Sequence, residues 1–360
     1  MTSLRRVTLV FLVVGAALAA PRAQTPTLSS ELERVRTAGS LPAIAAARFT
    51  SDGITDVAAV GVRKLGAETT VTGDDLWHIG SITKSFTSML TAVLVERGDL
   101  SWTTTLRELV GDEAGAYGSV TVTQLLGHRS GLPANATPQM VAAATGPSAS
   151  VVDIRRRVAR AAMATTPTGA PGDVFLYSNL GYTVLASAIE TKTGRAWEDL
   201  LRTEVLTPLS LTSAGHGPPG VVNELTQPRG HRGGKIPVEP GVFADNPPYM
   251  GPAGRLHMTV RDLARWGQLH LSGERGVDGL VKAATFVRLH TPLAADNPYA
   301  MGWVSEAGPS SRFIWHNGSN TLWYAFVAFV PEKNQGLAVV TNGGIEARTV
   351  VEMFVRTALR

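Results

Sequence analysis

Three groups of side chains in this sequence carry the residue types needed for acyl transfer. The first is Ser81-Ile82-Thr83-Lys84. Apolar residues begin a helical period there (Ile82, Phe86, Met89, Leu90, Val93, Leu94), and Gly98 stops it. Residues i and i+3 share one helix face, so the Lys84 amine comes beside the Ser81 hydroxyl. A helix N-terminus also offers unpaired backbone N–H groups and a positive dipole end to a developing oxyanion. A serine attacks a carbonyl only with a base at hand. The second group is Tyr177-Ser178-Asn179, just before a predicted helix, and the third is His316-Asn317-Gly318 in a β-rich run. Singly, each has an ordinary structural reading: a helix start, a core tyrosine, a packed strand histidine. Together, their order and contexts point to a serine nucleophile.

Competing chemistries are poorly served. No Gly-x-Ser-x-Gly elbow and no His-Glu-x-x-His is present, and the eight histidines have no metal-ligand spacing. Gly215-His216-Gly217-Pro218-Pro219-Gly220 spells a dinucleotide pattern, but its prolines lie in a predicted loop with no helix after it. No cofactor, no metal and no nucleic-acid partner are expected. The formal charge of +4 includes no block of five or more Lys or Arg.

The elements that must position these groups follow from periodicity. Thr27 to Thr37 predicts a helix, and Ala43–Phe49 with Gly53–Val62 predicts a hairpin. Helices are expected over Val122–Leu126, Val152–Met163, Asn179–Lys192, Ala196–Leu206, Leu263–Leu271 and Val281–Leu289. The last of these but one is opened by a Thr259-to-Asp262 capping box. Ala136–Ser150 reads as a surface excursion, and Pro218–Met250 as a long loop of a kind that is often functional. Ser311–His316, Leu322–Val330 and Gly336–Val340 are strand-like, and Arg348–Leu359 is a final helix. The fold class is therefore α/β (α+β). One antiparallel sheet joins the first hairpin to the last three strands, terminal helices cover one face, and a mostly helical domain is inserted. The sheet part takes about 24–80 and 300–360, the insertion about 81–299, with Ser81 at their junction.

Arg5 and Arg6 before an apolar run from Val7 to Ala20, then Pro21-Arg22-Ala23, predict a signal peptide over 1–23 and a periplasmic or secreted mature chain. The run is short for a transmembrane helix, so no span is expected after cleavage. Without cysteine there are no disulfides, and stability must come from a core.

The sequence resembles the serine β-lactamase and penicillin-binding protein superfamily, in its class C branch. Ile79 to Thr87, Leu125 to Leu132, Tyr177 to Tyr182, Pro252-Ala253-Gly254, Met301-Gly302-Trp303 and His316-Asn317-Gly318 carry the resemblance across nearly the whole chain. Tyr-x-Asn and His-x-Gly stand where the sister class has Ser-Asp-Asn and Lys-Thr-Gly. The literal Lys192-Thr193-Gly194 is a decoy, at the end of a predicted helix. The resemblance implies that Ser81 is acylated, that Lys84 and Tyr177 move its proton, and that Asn179 orients Lys84 and the substrate amide. It implies an oxyanion hole at Ser81 and Ser319, with His316 and Gly318 on the substrate-binding sheet edge. Lys84 and Tyr177 both have ordinary pKa values near 10, so one must fall by about 3 units, roughly 4 kcal/mol, to act as base at neutral pH. Lys84 and His316 are the candidate cations for lowering Tyr177. The substrate is a small molecule or a peptide. An ester or D-amino-acid-type amide is favoured; a β-lactam, or binding without catalysis, is the alternative. Arg255 is a candidate carboxylate anchor, and Trp303, Trp315 and Trp323 are candidate walls of an acyl pocket.

Overall fold

The computed structural model describes residues 26–146 and 149–359. The predicted signal segment lies outside them. Six antiparallel strands form the main sheet, in the order Gly53–Gly61, Ala43–Thr50, Gln335–Thr341, Tyr324–Val330, Arg312–Ser319, Val304–Ala307. The two ends of the chain thus pair directly, with Ile44 opposite Thr341 and Phe49 opposite Gly336. The sixth strand, Val304–Ala307, was not expected; four residues on a sheet edge carry too short an alternation to read.

Both faces of this sheet are covered, which explains why Tyr324–Val330 is buried at every position. Side chains alternate between two cores. Tyr324, Phe326, Ala328 and Val330 face one that holds Leu28 and Leu32 of the first helix (Leu28–Ala38) and Val351 and Val355 of the last (Arg348–Ala358). Ala325, Val327 and Phe329 face the other, shared with Phe86, Leu90 and Trp266. The terminal helices therefore share one face, as the sequence pattern suggests, and the class is mixed α/β with an antiparallel sheet.

Helix Thr83–Glu96 runs through the larger core and is buried on nearly every side. Its buried polar members find partners: Ser85 donates to Ile82 O at 2.7 Å, and Thr87 to Pro252 O at 2.7 Å. Helix Val260–Glu274 is capped by Thr259, whose hydroxyl accepts from Asp262 N; the Asp262 carboxylate turns to Ser213 instead of completing a box. The region 136–150 contains a short helix, Pro138–Ala144, started by the Thr137 cap and a proline in its first turn. The long loop carries a two-stranded ribbon, Gly230–Arg232 with Ile236–Val238. Among the described residues, no helix is long and apolar enough to cross a membrane.

Candidate active site

Ser81 sits in a single 3₁₀ turn, Gly80–Ile82, that feeds helix Thr83–Glu96. Gly80 has φ +50°, a region that disfavours side chains, and a Cβ there would lie 2.3 Å from Ser319 N. A Cβ on Gly318 would lie 2.0 Å from Ile79 O and 2.6 Å from Ser81 N. Strand Arg312–Ser319 therefore crosses the serine turn at backbone contact. This brings Ser81 and Ser319 to one place, where paired N–H groups suit an oxyanion.

The turn is held from behind. His78 Nδ1 accepts from Gly80 N at 3.1 Å, which leaves the proton on Nε2, donated to Asp245 Oδ1 at 2.7 Å. Thr83 Oγ1 donates to Gly80 O at 2.7 Å and accepts from Leu256 N at 3.1 Å. Asp245 also receives Arg255 Nε at 2.7 Å. Burial alone would raise the Asp245 pKa; the hydrogen bond from His78 and the charge of Arg255 bring it below the usual range. Arg255 is thus committed to Asp245 and does not line the cleft, contrary to the expectation of a carboxylate anchor.

Lys84 is fully buried and has three acceptors: Asn179 Oδ1 at 2.7 Å, Ala253 O at 2.7 Å and Ser81 Oγ at 3.1 Å. Two of these are carbonyl oxygens that can only accept. A neutral amine can donate to both and turn its lone pair to the Ser81 hydroxyl. Burial pushes the Lys84 pKa well below its ordinary value, which favours that neutral form.

Tyr177 immediately precedes helix Asn179–Thr193, capped by Ser178, whose hydroxyl accepts from Gly181 N at 2.9 Å and donates to Pro133 O at 2.6 Å. The Lys84 ammonium position lies 4.8 Å from the Tyr177 ring centroid. Burial raises the Tyr177 phenol above its usual range, and a hydrogen bond with Ser81 offsets only part of that. The expected depression of this phenol does not occur. His316, the second cation proposed for it, is pushed down to about 3 by burial first and by Lys84 second, so it is neutral at pH 7. Its ring is also occupied. Nδ1 faces Asn317 O at 2.6 Å and must donate, so Nε2 accepts from the Tyr299 hydroxyl at 3.1 Å.

Ser81, Tyr177, His316, Gly318 and Ser319 line one cleft of about 370 Å³, which Tyr299 and Arg348 also border. Asn179 reaches it through Lys84. Lys192-Thr193-Gly194 ends the Asn179 helix, with Gly194 at φ +68°, about 20 Å from its start at 1.5 Å per residue. Of the three tryptophans, only Trp315 borders the cleft. Trp303 packs against His270, 4.6 Å between centroids, and Trp323 meets Trp77 edge-on at 6.0 Å. Sequence reasoning missed Tyr299, Arg348, His78 and Asp245. It quoted His128 in a motif without a role. His128 is buried against Tyr177 (4.2 Å) and Tyr299 (4.6 Å) and accepts from Ser178 N at 3.0 Å, so it supports the tyrosine that follows the cleft wall. Among the described residues, no group of three or more His, Asp and Glu is placed to hold a metal.

The sheet with helices on both faces, and a serine turn crossed by a sheet edge, define a β-lactamase-type fold. The family model described as Beta-lactamase matches residues 30–359, and the chain belongs to that family of serine hydrolases. It is 26% identical over 338 residues to Penicillin-binding protein 4 of Amycolatopsis lactamdurans, covering 89% of this chain and 86% of that protein. It is 28% identical over 292 residues to Unguisins hydrolase ungD' of Aspergillus campestris, covering 76% of this chain and 53% of that one. The chain thus spans about half of the latter's length. In fold it is similar to the octameric penicillin-binding protein homologue from Pyrococcus abyssi, with TM-score 0.72, 24% identity and coverage of 87% and 72%.

Proposed function

We propose that the protein is an exported serine hydrolase that cleaves an ester or a D-amino-acid-type amide through an acyl-enzyme on Ser81. The observation that carries this reading is the setting of Lys84, an amine buried among two carbonyls and the Ser81 hydroxyl. Lys84 takes the Ser81 proton as Oγ bonds the substrate carbonyl carbon. The oxyanion is received by the N–H groups of Ser81 and Ser319. Collapse expels the leaving group, which takes a proton from Tyr177, and the Lys84 ammonium restores it. Water then attacks the acyl carbon with Lys84 again as base, releasing the acid and the Ser81 hydroxyl.

Arg348 borders the cleft and keeps one ion pair, Nε to Glu352 at 3.0 Å. Its remaining donors suit a carboxylate on the substrate, as at the end of a D-peptide. A nitrophenyl ester tests the reading: one equivalent of nitrophenol should be released in a burst, with an acyl mass increment on the protein, and both should vanish in Ser81→Ala. A binding protein without catalysis gives no burst. Steady turnover of a chromogenic cephalosporin in place of the ester would make it a β-lactamase. Amino-terminal sequencing of the mature protein tests export, with cleavage expected after Ala19 or Ala23.

A further inference from the structure

The residue before the nucleophile is the most pliable point of the site. Gly80 has no Cβ to restrict φ, so its own chain does not fix the direction of the Ser81 N–H that follows it. Hydrogen bonds pin the peptide on each side of it instead. The Gly80 carbonyl accepts from Thr83 Oγ1 at 2.7 Å, and the Gly80 N–H donates to His78 Nδ1 at 3.1 Å. Thr83 lies in the same helix start and can do this in any protonation state. His78 can do it only as one tautomer, with Nδ1 bare and the proton on Nε2. The partner of the other ring nitrogen decides which tautomer forms. That partner is Asp245, whose Oδ1 lies 2.7 Å from Nε2, and both side chains are buried. A carboxylate only accepts, so it keeps the proton on Nε2. Asp245 is itself held, receiving Asn246 N and Arg255 Nε at 2.7 Å each. One residue earlier, the Ala244 carbonyl accepts from Asn320 Nδ2 at 3.0 Å, and Asn320 directly follows Ser319. The segment Ala244-Asp245 is therefore tied to both residues whose N–H groups would receive the oxyanion.

We propose that Asp245 and His78 are a positioning dyad for acylation: the carboxylate fixes the imidazole tautomer, the imidazole fixes the Gly80 N–H, and Gly80 thereby aims the Ser81 N–H at the oxyanion. This rests on the acyl-enzyme reading and adds two positioning residues that lie behind the serine turn. Asp245 belongs to the long loop between 218 and 250, so that loop acts on the nucleophile through a single imidazole. With Asp245 gone, the proton is free to occupy Nδ1, where it would face the Gly80 N–H and break that bond. Losing an oxyanion donor outright costs about 10²- to 10³-fold in kcat. A misdirected donor should cost about 10²-fold, or about 2.7 kcal/mol. General support of the fold would instead lower stability without selecting kcat. Arg255 supplies the comparison, since it binds the other oxygen of the same carboxylate, Oδ2, at 2.7 Å.

Stopped-flow acylation by nitrophenyl acetate, with urea unfolding of each variant, tests this. In Asp245→Ala and in His78→Phe the saturating acylation rate should fall about 10²-fold, with the half-saturating concentration within about threefold. The double variant should lie within about threefold of the worse single one, because the two residues act as one unit. Asp245→Asn keeps an acceptor for Nε2 and should retain about a third of the rate or more. Arg255→Gln should lose stability much as Asp245→Asn does, with the rate within about threefold of wild type. Nitrogen-15 spectra of the labelled histidine rings, with His78 assigned by its loss in His78→Phe, read the tautomer without any substrate. They should show Nδ1 bare and Nε2 protonated in the wild type and in Asp245→Asn, and a mixture in Asp245→Ala. Losses that multiply in the double variant, an equal rate loss in Arg255→Gln, or a wild-type proton on Nδ1 would each overturn the dyad. A wild type that gives no burst and no acylated Ser81 overturns the hydrolase reading instead, and the ring spectra still decide whether Asp245 sets the tautomer.

Discussion

Replacing Tyr177 with Phe separates the roles of base and acid at Ser81. The substitution removes one oxygen and keeps the ring packed against His128 at 4.2 Å and Tyr299 at 5.9 Å. Burial holds the phenol above its ordinary value of 10.0, so at pH 7 fewer than about one in 10³ is ionised, and using it as base costs more than about 4 kcal/mol. Burial moves Lys84 in the opposite direction, toward the free amine. Nitrophenolate departs without a proton, so acylation by a nitrophenyl ester requires only Lys84. Its burst rate in Tyr177→Phe should fall less than about tenfold, with the acid limb of the pH profile unmoved. An alkyl ester or an amide needs its leaving group protonated, and a positioned acid contributes about 10²- to 10⁴-fold. For those substrates kcat/KM should therefore fall by about 3 to 5 kcal/mol. Stopped-flow bursts and steady-state amide cleavage, on one protein preparation, measure both. A nitrophenyl burst that collapses by more than about 10³-fold, with loss of the acid limb, would make Tyr177 the base and refute this assignment.

Three further outcomes follow from the same geometry. Gly318→Ala would press a Cβ against Ile79 O and Ser81 N, atoms of the backbone that cannot swing aside. Acylation should fall by about 10²-fold or more as the oxyanion donors separate, with about 1–3 kcal/mol of stability lost in denaturant unfolding; full activity would show that the crossing is slack. Asn179→Asp would put a carboxylate where Oδ1 now accepts from Lys84 at 2.7 Å. At an effective dielectric near 20 the pair gains about 4 kcal/mol, which favours the ammonium and moves the acid limb of kcat/KM alkaline by up to about 3 pH units. An unmoved limb means that no titrating base adjoins Asn179. His316 is neutral in the fold down to about pH 3, and burial first also depresses His128, His270 and His290. The unfolded chain takes up these protons near pH 6.5, so stability is present above that value and drains below it. His316 alone withdraws about 2 kcal/mol by pH 5, readable as a shift in urea midpoint between pH 7 and pH 5 that His316→Asn diminishes.

The residues that read clearly in the sequence are those whose structural context is local. Ser81 and Lys84 are set by one helix start, and Tyr177 by the residue before a cap, so periodicity and spacing place them. The sheet was legible for the same reason: its strands are long, and Tyr324–Val330 and Gln335–Thr341 alternate between two cores. What escaped depends on distant pairing. Asp245 lies 167 positions from His78, and Tyr299 17 from His316, inside stretches without periodicity. Strands Leu76–His78 and Leu256–Thr259 have three and four residues and exist because they pair with each other. Arg255 as a carboxylate anchor failed likewise, because only tertiary structure shows that its guanidinium is held by Asp245.

The choice of base turns on a quantity that no spacing contains. Lys84 and Tyr177 start from nearly equal pKa values, and desolvation drives a cationic acid down and a neutral acid up. Burying both therefore splits them without any special partner. A carboxylate beside Lys84 would have held it charged, but its neighbours are Asn179, the Ala253 carbonyl and Ser81, and burial is the cause that moves it. The amide at position 179 is thus part of the acid–base chemistry: it orients the amine as a carboxylate would, without adding the charge that would keep its proton on.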